Sequence, residues 1–114
     1  AWRLTARGCT VETLVGEAKR ILEREYADSS LSVERLAEKL HISPSYCSAI
    51  FRQGTGMTCV RYLTDVRMKK AEELLRSTDE KTYIIASRVG YDEPNYFSYV
   101  FKKHFGVSPS KLRN

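Results

Sequence analysis

The feature that most constrains this chain is that it repeats itself. Displaced by 49 residues, Leu36-Ala37 falls on Ile85-Ala86, and Leu40 falls on Val89. One extra residue in the following turn makes the displacement 50. Tyr46 then falls on Tyr96, Ser48 on Ser98, Ile50 on Val100, Phe51 on Phe101, Arg52 on Lys102 and Gly56 on Gly106. Each copy reads as a short helix, a tight turn and a longer helix, the helix-turn-helix layout. His41 falls on Gly90 in the turn, where a left-handed residue is expected; histidine is among the non-glycine residues enriched in that conformation.

The rest of the chain is consistent with an all-helical fold. It has only 6 glycines and 3 prolines in 114 residues. Its long segments carry apolar residues at three- and four-residue spacing, and no alternating run is long enough for a strand. A first helix is predicted over Val11–Tyr26, with Leu14, Ala18, Ile21 and Leu22 on one face. Ser32 caps a second helix that runs through Leu40. Ser43-Pro44 starts a third, a capping hydroxyl followed by proline where no N–H is needed, and it ends near Gly54–Gly56. A long fourth helix is predicted over Cys59–Arg76, with Leu63, Ala71, Leu74 and Leu75 inward. A fifth covers Thr82–Val89, a sixth runs from Asp92 or Glu93 to Phe105, and Ser108-Pro109 opens a short seventh. The expected division is a linker or expression remnant over 1–10, a first helix-turn-helix subdomain over 11–57, a linker helix over 58–76 and a second subdomain over 77–114.

Charge points to the partner. The formal net charge is +5. Residues 1–57 hold 8 Lys/Arg against 7 Asp/Glu, and residues 58–114 hold 11 against 7. From Asn95 onward there is no acidic residue, so the basic surface is concentrated late in the chain. In the third helix Tyr46, Cys47, Ile50 and Phe51 share the predicted inward stripe; Ser45, Ser48, Ala49 and Arg52 share the outward one. In the sixth, Tyr96, Phe97, Val100 and Phe101 are predicted inward, and Asn95, Ser98, Tyr99 and Lys102 outward. Neither outward face is acidic, so either suits a DNA major groove. The alternative is two helical hairpins whose outward faces are simply solvated.

Other classes find little support. No stretch approaches the ~20 apolar residues of a membrane span. Cys9, Cys47 and Cys59 are odd in number and fit neither a disulfide framework nor a zinc site, which suggests reduced thiols in the cytoplasm. No phosphate loop or activated nucleophile is visible, so no enzyme, metal or cofactor is expected.

Three stretches carry a family resemblance: LSVERLAEKLHISPSYCSAIFRQGTG (31–56), YLTDVRMKKAEELL (62–75) and IASRVGYDEPNYFSYVFKKHFGVSPSKLR (85–113). Together they resemble the DNA-binding domain of the AraC/XylS family of bacterial transcription regulators. The third is the most specific, with VGY, NYF, FKK, SPS and the closing Arg113 in order. The resemblance implies an all-α fold of about seven helices, two helix-turn-helix subdomains joined by a long linker helix. It implies sequence-specific binding of promoter or operator DNA, with the third and sixth helices in successive major grooves ~34 Å apart. The implied base-contact positions are Ser45, Ser48 and Ala49, then Asn95, Ser98 and Tyr99. Arg52, Lys102 and Lys103 match positions that meet phosphates.

Asn95 can pair bidentately with adenine; its alternative is a helix-start residue bonded to its own backbone. Ala49 offers only a methyl group, where family members often carry a long polar side chain. Ile84 replaces a frequent Glu and is expected to be an exposed apolar residue. Leu112 replaces an aromatic, and Cys47 replaces a leucine as a small core residue. The resemblance also implies a missing sensor upstream, RNA polymerase as a further partner, a monomeric isolated domain and a place on the bacterial nucleoid in the cytoplasm. The EREYADSSLS run is similar to response regulators that pair a receiver with this output domain; a small-molecule sensor is the competing reading. A protein-interaction module and a nonspecific architectural DNA binder are the functional alternatives.

Overall fold

The computed structural model describes residues 10–113. The linker expected over residues 1–10 therefore lies outside the described residues, apart from Thr10, and so does Cys9. Seven helices follow in order: α1 (Val11–Arg24), α2 (Val33–Leu40), α3 (Pro44–Thr55), α4 (Cys59–Ser77), α5 (Thr82–Arg88), α6 (Pro94–Phe105) and α7 (Pro109–Arg113). Among the described residues no helix is long and apolar enough to cross a membrane. The chain divides into two compact units. The first takes the residues up to Glu25 with Ser30–Leu63; the second takes Tyr26–Ser29 with the residues from Thr64 on.

Side-chain caps set the starts of most helices. The hydroxyls of Thr10, Ser32 and Ser43 accept the N–H groups of Thr13, Arg35 and Tyr46. Thr58 does the same for Arg61 at the start of α4, and Ser108 for Lys111 in α7. Each satisfies one of the N–H groups that a helix start leaves without a partner. α6 is capped differently: the Glu93 carboxylate accepts the N–H of Asn95 at 2.8 Å. α1 stops at Arg24 and not at Tyr26, whose carbonyl accepts from Arg67 Nε.

In the first unit α1, α2 and α3 pack on one another. Leu14, Ala18, Ile21 and Leu22 are buried, as are Leu36, Ala37, Leu40, Ile50 and Phe51, as the spacing predicts. Gly54 lets α3 approach α1 closely: a Cβ there would sit 3.1 Å from the Val15 side chain. Phe51 lies edge-on to Tyr62, with ring centroids 5.3 Å apart. The core of the second unit is Met68, Ala71, Leu75, Ile85, Ala86, Val89, Tyr91, Phe97 and Phe101. Leu112 is packed against it, so its departure from the family pattern is a packing one. Met68 is fully buried although it does not stand out in the sequence.

The two turns share one geometry. Ile42 N–H bonds to Ala37 O and His41 N–H to Glu38 O; Tyr91 N–H bonds to Ala86 O and Gly90 N–H to Ser87 O. Both are Schellman closures around a left-handed residue. His41 has φ 60° and Gly90 has φ 97°.

Candidate nucleic-acid interface

α3 exposes Ser45, Ser48, Ala49 and Arg52 on one face, while Cys47, Ile50 and Phe51 are buried on the other. Ala49 borders an open groove of about 760 Å³ between α3 and α1, which Val15, Gly16 and Lys19 also line. Behind the helix, Cys47 and Cys59 are buried free thiols. Hydrogen bonding to Cys59, and then burial, push the Cys47 thiol above its ordinary range. That makes Cys47 the small, inert core residue its position suggests.

α6 exposes Asn95, Tyr99, Lys102 and Lys103, with Ser98 half-buried beside them. Glu93 supplies the cap, and Asn95 is exposed in the first turn. Tyr99 is 61% exposed, and the Lys103 ammonium lies 6.0 Å from its ring centroid. His104 Nδ1 is 3.9 Å from Asp65 of α4.

One predicted orientation is wrong. Tyr96 does not point inward; it is 57% exposed. Phe97 and Phe101 already fill the interior. The Tyr96 ring instead lies against Tyr91 on one side and Tyr99 on the other, with centroids 6.0 and 6.3 Å away. This keeps the ring partly covered by its neighbours while the residue stays more than half exposed. The two flanking tyrosines were the sequence signal for this placement, but the repeat argues the other way, since Tyr46 is half-buried.

Two arginines counted as basic surface serve the interior. Arg67 is only 8% exposed. Arg113 donates from Nε to Leu75 O at 3.1 Å, from one terminal nitrogen to Thr78 O at 3.0 Å and from the other to Glu80 O. It closes the carbonyl end of α4, where positive charge is favoured. Ile84 is 36% exposed on α5, the surface apolar side chain that its position predicts. Among the described residues no three His, Cys, Asp or Glu side chains gather to hold a metal ion.

The fold and this face can be matched to known proteins. A sequence profile described as a helix-turn-helix domain matches residues 36–114. The chain belongs to the AraC/XylS family of helix-turn-helix domains. It is 38% identical over 104 residues to the Msm operon regulatory protein of Streptococcus mutans, covering 91% of this chain and 37% of that protein. Among solved structures it resembles the C-terminal domain of AraT, a response regulator from Geobacillus stearothermophilus. There the TM-score is 0.87 at 40% identity, over 97% of this chain and 86% of that one. It also resembles the DNA-binding domain of AdpA, a global transcriptional factor, solved in complex with a target DNA. That match has a TM-score of 0.81 at 25% identity, over 87% of this chain and 88% of that one. The chain spans little more than a third of the length of the curated relatives it matches.

Proposed function

We propose that this chain is the DNA-binding output domain of a bacterial transcription regulator, and that it reads base sequence in the major groove of double-stranded DNA. The observation that carries this is the exposed face of α6. Asn95, Tyr99, Lys102 and Lys103 stand together on it, and no acidic residue occurs between Pro94 and Arg113. Membership of the family and the likeness to a domain solved on its target DNA support the same reading.

The roles divide by chemistry. Ser45, Ser48 and Ala49 on α3 and Asn95, Ser98 and Tyr99 on α6 face base edges, each helix in its own major groove. Asn95 pairs with adenine through its amide, and Ala49 contributes a methyl contact. Arg52, Lys102 and Lys103 meet phosphates, fix the register and release counterions. The isolated domain acts as a monomer. The remainder of the regulator supplies the signal, and RNA polymerase is its partner at the promoter. Its place is the nucleoid in the cytoplasm.

Selection of random duplex DNA at near-physiological salt tests this. Enrichment of two short elements about one helical turn apart, ~34 Å, is the expected result. A single enriched element would remove α3 as a base reader. Binding without any enriched sequence, lost as salt rises, would leave the nonspecific architectural reading in its place.

A further inference from the structure

The face of α6 is more aromatic than base-edge hydrogen bonding needs. At about 100° per residue, Ser98, Lys102, Asn95, Tyr99, Lys103 and Tyr96 follow one another around less than half of the helix. The half of that arc nearest Tyr96 carries two large rings. Tyr96 and Tyr99 are 57% and 61% exposed, and their planes lie 27° apart at a centroid separation of 6.3 Å. The pair is held in place: Tyr96 leans on the buried Tyr91, and Tyr91 is held in turn by the Arg67 guanidinium 5.3 Å from its ring. Rings already fixed in this way lose little rotamer freedom on binding.

We infer that Tyr96 and Tyr99 form an apolar step that packs on the 5-methyl groups of thymine, so that the second unit selects thymine over cytosine where these rings meet the groove. This rests on the DNA-reading function proposed above. In the major groove the thymine methyl is the one apolar feature a base edge offers, and apolar side chains are its natural contact. The 6.3 Å span of the rings is within two base steps of ~3.4 Å each, so both rings reach methyls inside one short element. The surroundings favour DNA over a protein partner. Lys102 and Lys103 share the arc with the rings, Lys103 lies over Tyr99, and α6 itself carries no carboxylate. Ala49 on α3 offers the same kind of contact with a single methyl group.

The test uses the duplex enriched by selection. The element read by α6 is the one whose preference relaxes in Asn95→Ala. Replacing its thymines by deoxyuridine removes only the methyl groups. The expected result is a loss of affinity of about fourfold per contacted methyl. The double variant Tyr96→Ala with Tyr99→Ala should bind the thymine and uracil duplexes equally. Tyr96→Phe with Tyr99→Phe keeps both rings and should keep the discrimination, so the inference stays testable if the alanine variant fails to fold. Equal binding of the two duplexes by the unaltered chain overturns the inference and leaves the DNA-reading function standing. So does discrimination that survives the alanine pair, or is lost in the phenylalanine pair. Alanine variants that bind the thymine duplex as tightly as the unaltered chain assign the rings to a protein partner instead. Failure to enrich any sequence overturns the base-reading function, and this inference with it.

Discussion

Arg67 donates from Nε to the backbone carbonyl of Tyr26 at 2.9 Å, and the two residues are 41 positions apart in the chain. The same guanidinium donates to Asp28 O at 2.8 Å and sits over the ring of Tyr91. This buried cation is met by carbonyl dipoles and an aromatic face. Two carbonyls are reached from two different nitrogens of one planar fork, so arginine suits this place better than a lysine would. The contact ties the backbone of Tyr26 and Asp28 to Arg67, and α1 ends two residues before the spacing predicts.

Arg67→Met should therefore destabilise the domain by about 2–3 kcal/mol, because two partly buried carbonyls lose their donors. Arg67→Lys should recover only part of this. Urea unfolding at neutral pH is the measurement. A loss under about 0.5 kcal/mol for the methionine variant would mean that water replaces the guanidinium without penalty.

Gly90 and His41 occupy the same place in the two turns, yet they should respond oppositely to substitution. A Cβ on Gly90 would sit 2.5 Å from Tyr26 O and 2.8 Å from Arg67 Nε, in a left-handed residue. Gly90→Ala should cost roughly 3 kcal/mol or more, combining backbone strain with displacement of a buried pair. At His41 the left-handed φ of 60° is already borne by a side chain, and that side chain is exposed. His41→Gly should change stability by less than about 1 kcal/mol, since relief of strain and greater unfolded-state freedom oppose each other. Paired thermal melts of the two variants decide this, and equal losses would contradict the Tyr26 contact as the cause.

Much of this was legible because helix starts and stops are local chemistry. Ser32, Ser43 and Pro44 sit where their side chains predict, and His41 takes the left-handed turn. The buried faces of α1 to α3 follow from spacing alone. Contacts between residues distant in sequence were not legible. Arg67 and Arg113 look like surface charge until the carbonyls of Tyr26 and Leu75 are placed beside them. Tyr96 misled for a related reason. Its neighbours in the repeat argue for burial, and only the ring positions of Tyr91 and Tyr99 show that a tyrosine at the margin of the stripe finds cover outside the core.

Tyr62 gives the first unit a dependence on alkaline pH. Its hydroxyl donates to the Glu23 carboxylate. Burial first, and then this bond, push its pKa up to about 12. In the unfolded chain it titrates near 10. Between these values the unfolded chain has lost a proton that the folded one keeps, so stability falls as pH rises; below about 10 the contribution is fully present. Tyr62→Phe should cost about 1 kcal/mol near neutral pH and should show a shallower decline above pH ~10. Denaturant midpoints of both proteins across that range would reveal it. Parallel declines would remove Tyr62 as the titrating group.

Lys102 and Asn95 lie on the same face of α6, but their proposed roles leave different signatures on DNA. A lysine on phosphate contributes through released counterions, with no regard to sequence. Lys102→Ala should weaken binding to every duplex alike and reduce the slope of log affinity against log salt by about 0.9. Asn95 on a base edge should leave that slope unchanged. Asn95→Ala should lose about 1–3 kcal/mol on the preferred duplex and little on one altered at the contacted base pair. Titrations of both variants on both duplexes at several salt concentrations separate the two. Uniform loss in both would assign Asn95 to the backbone and leave Tyr96, Ser98 and Tyr99 to carry the specificity of the second unit.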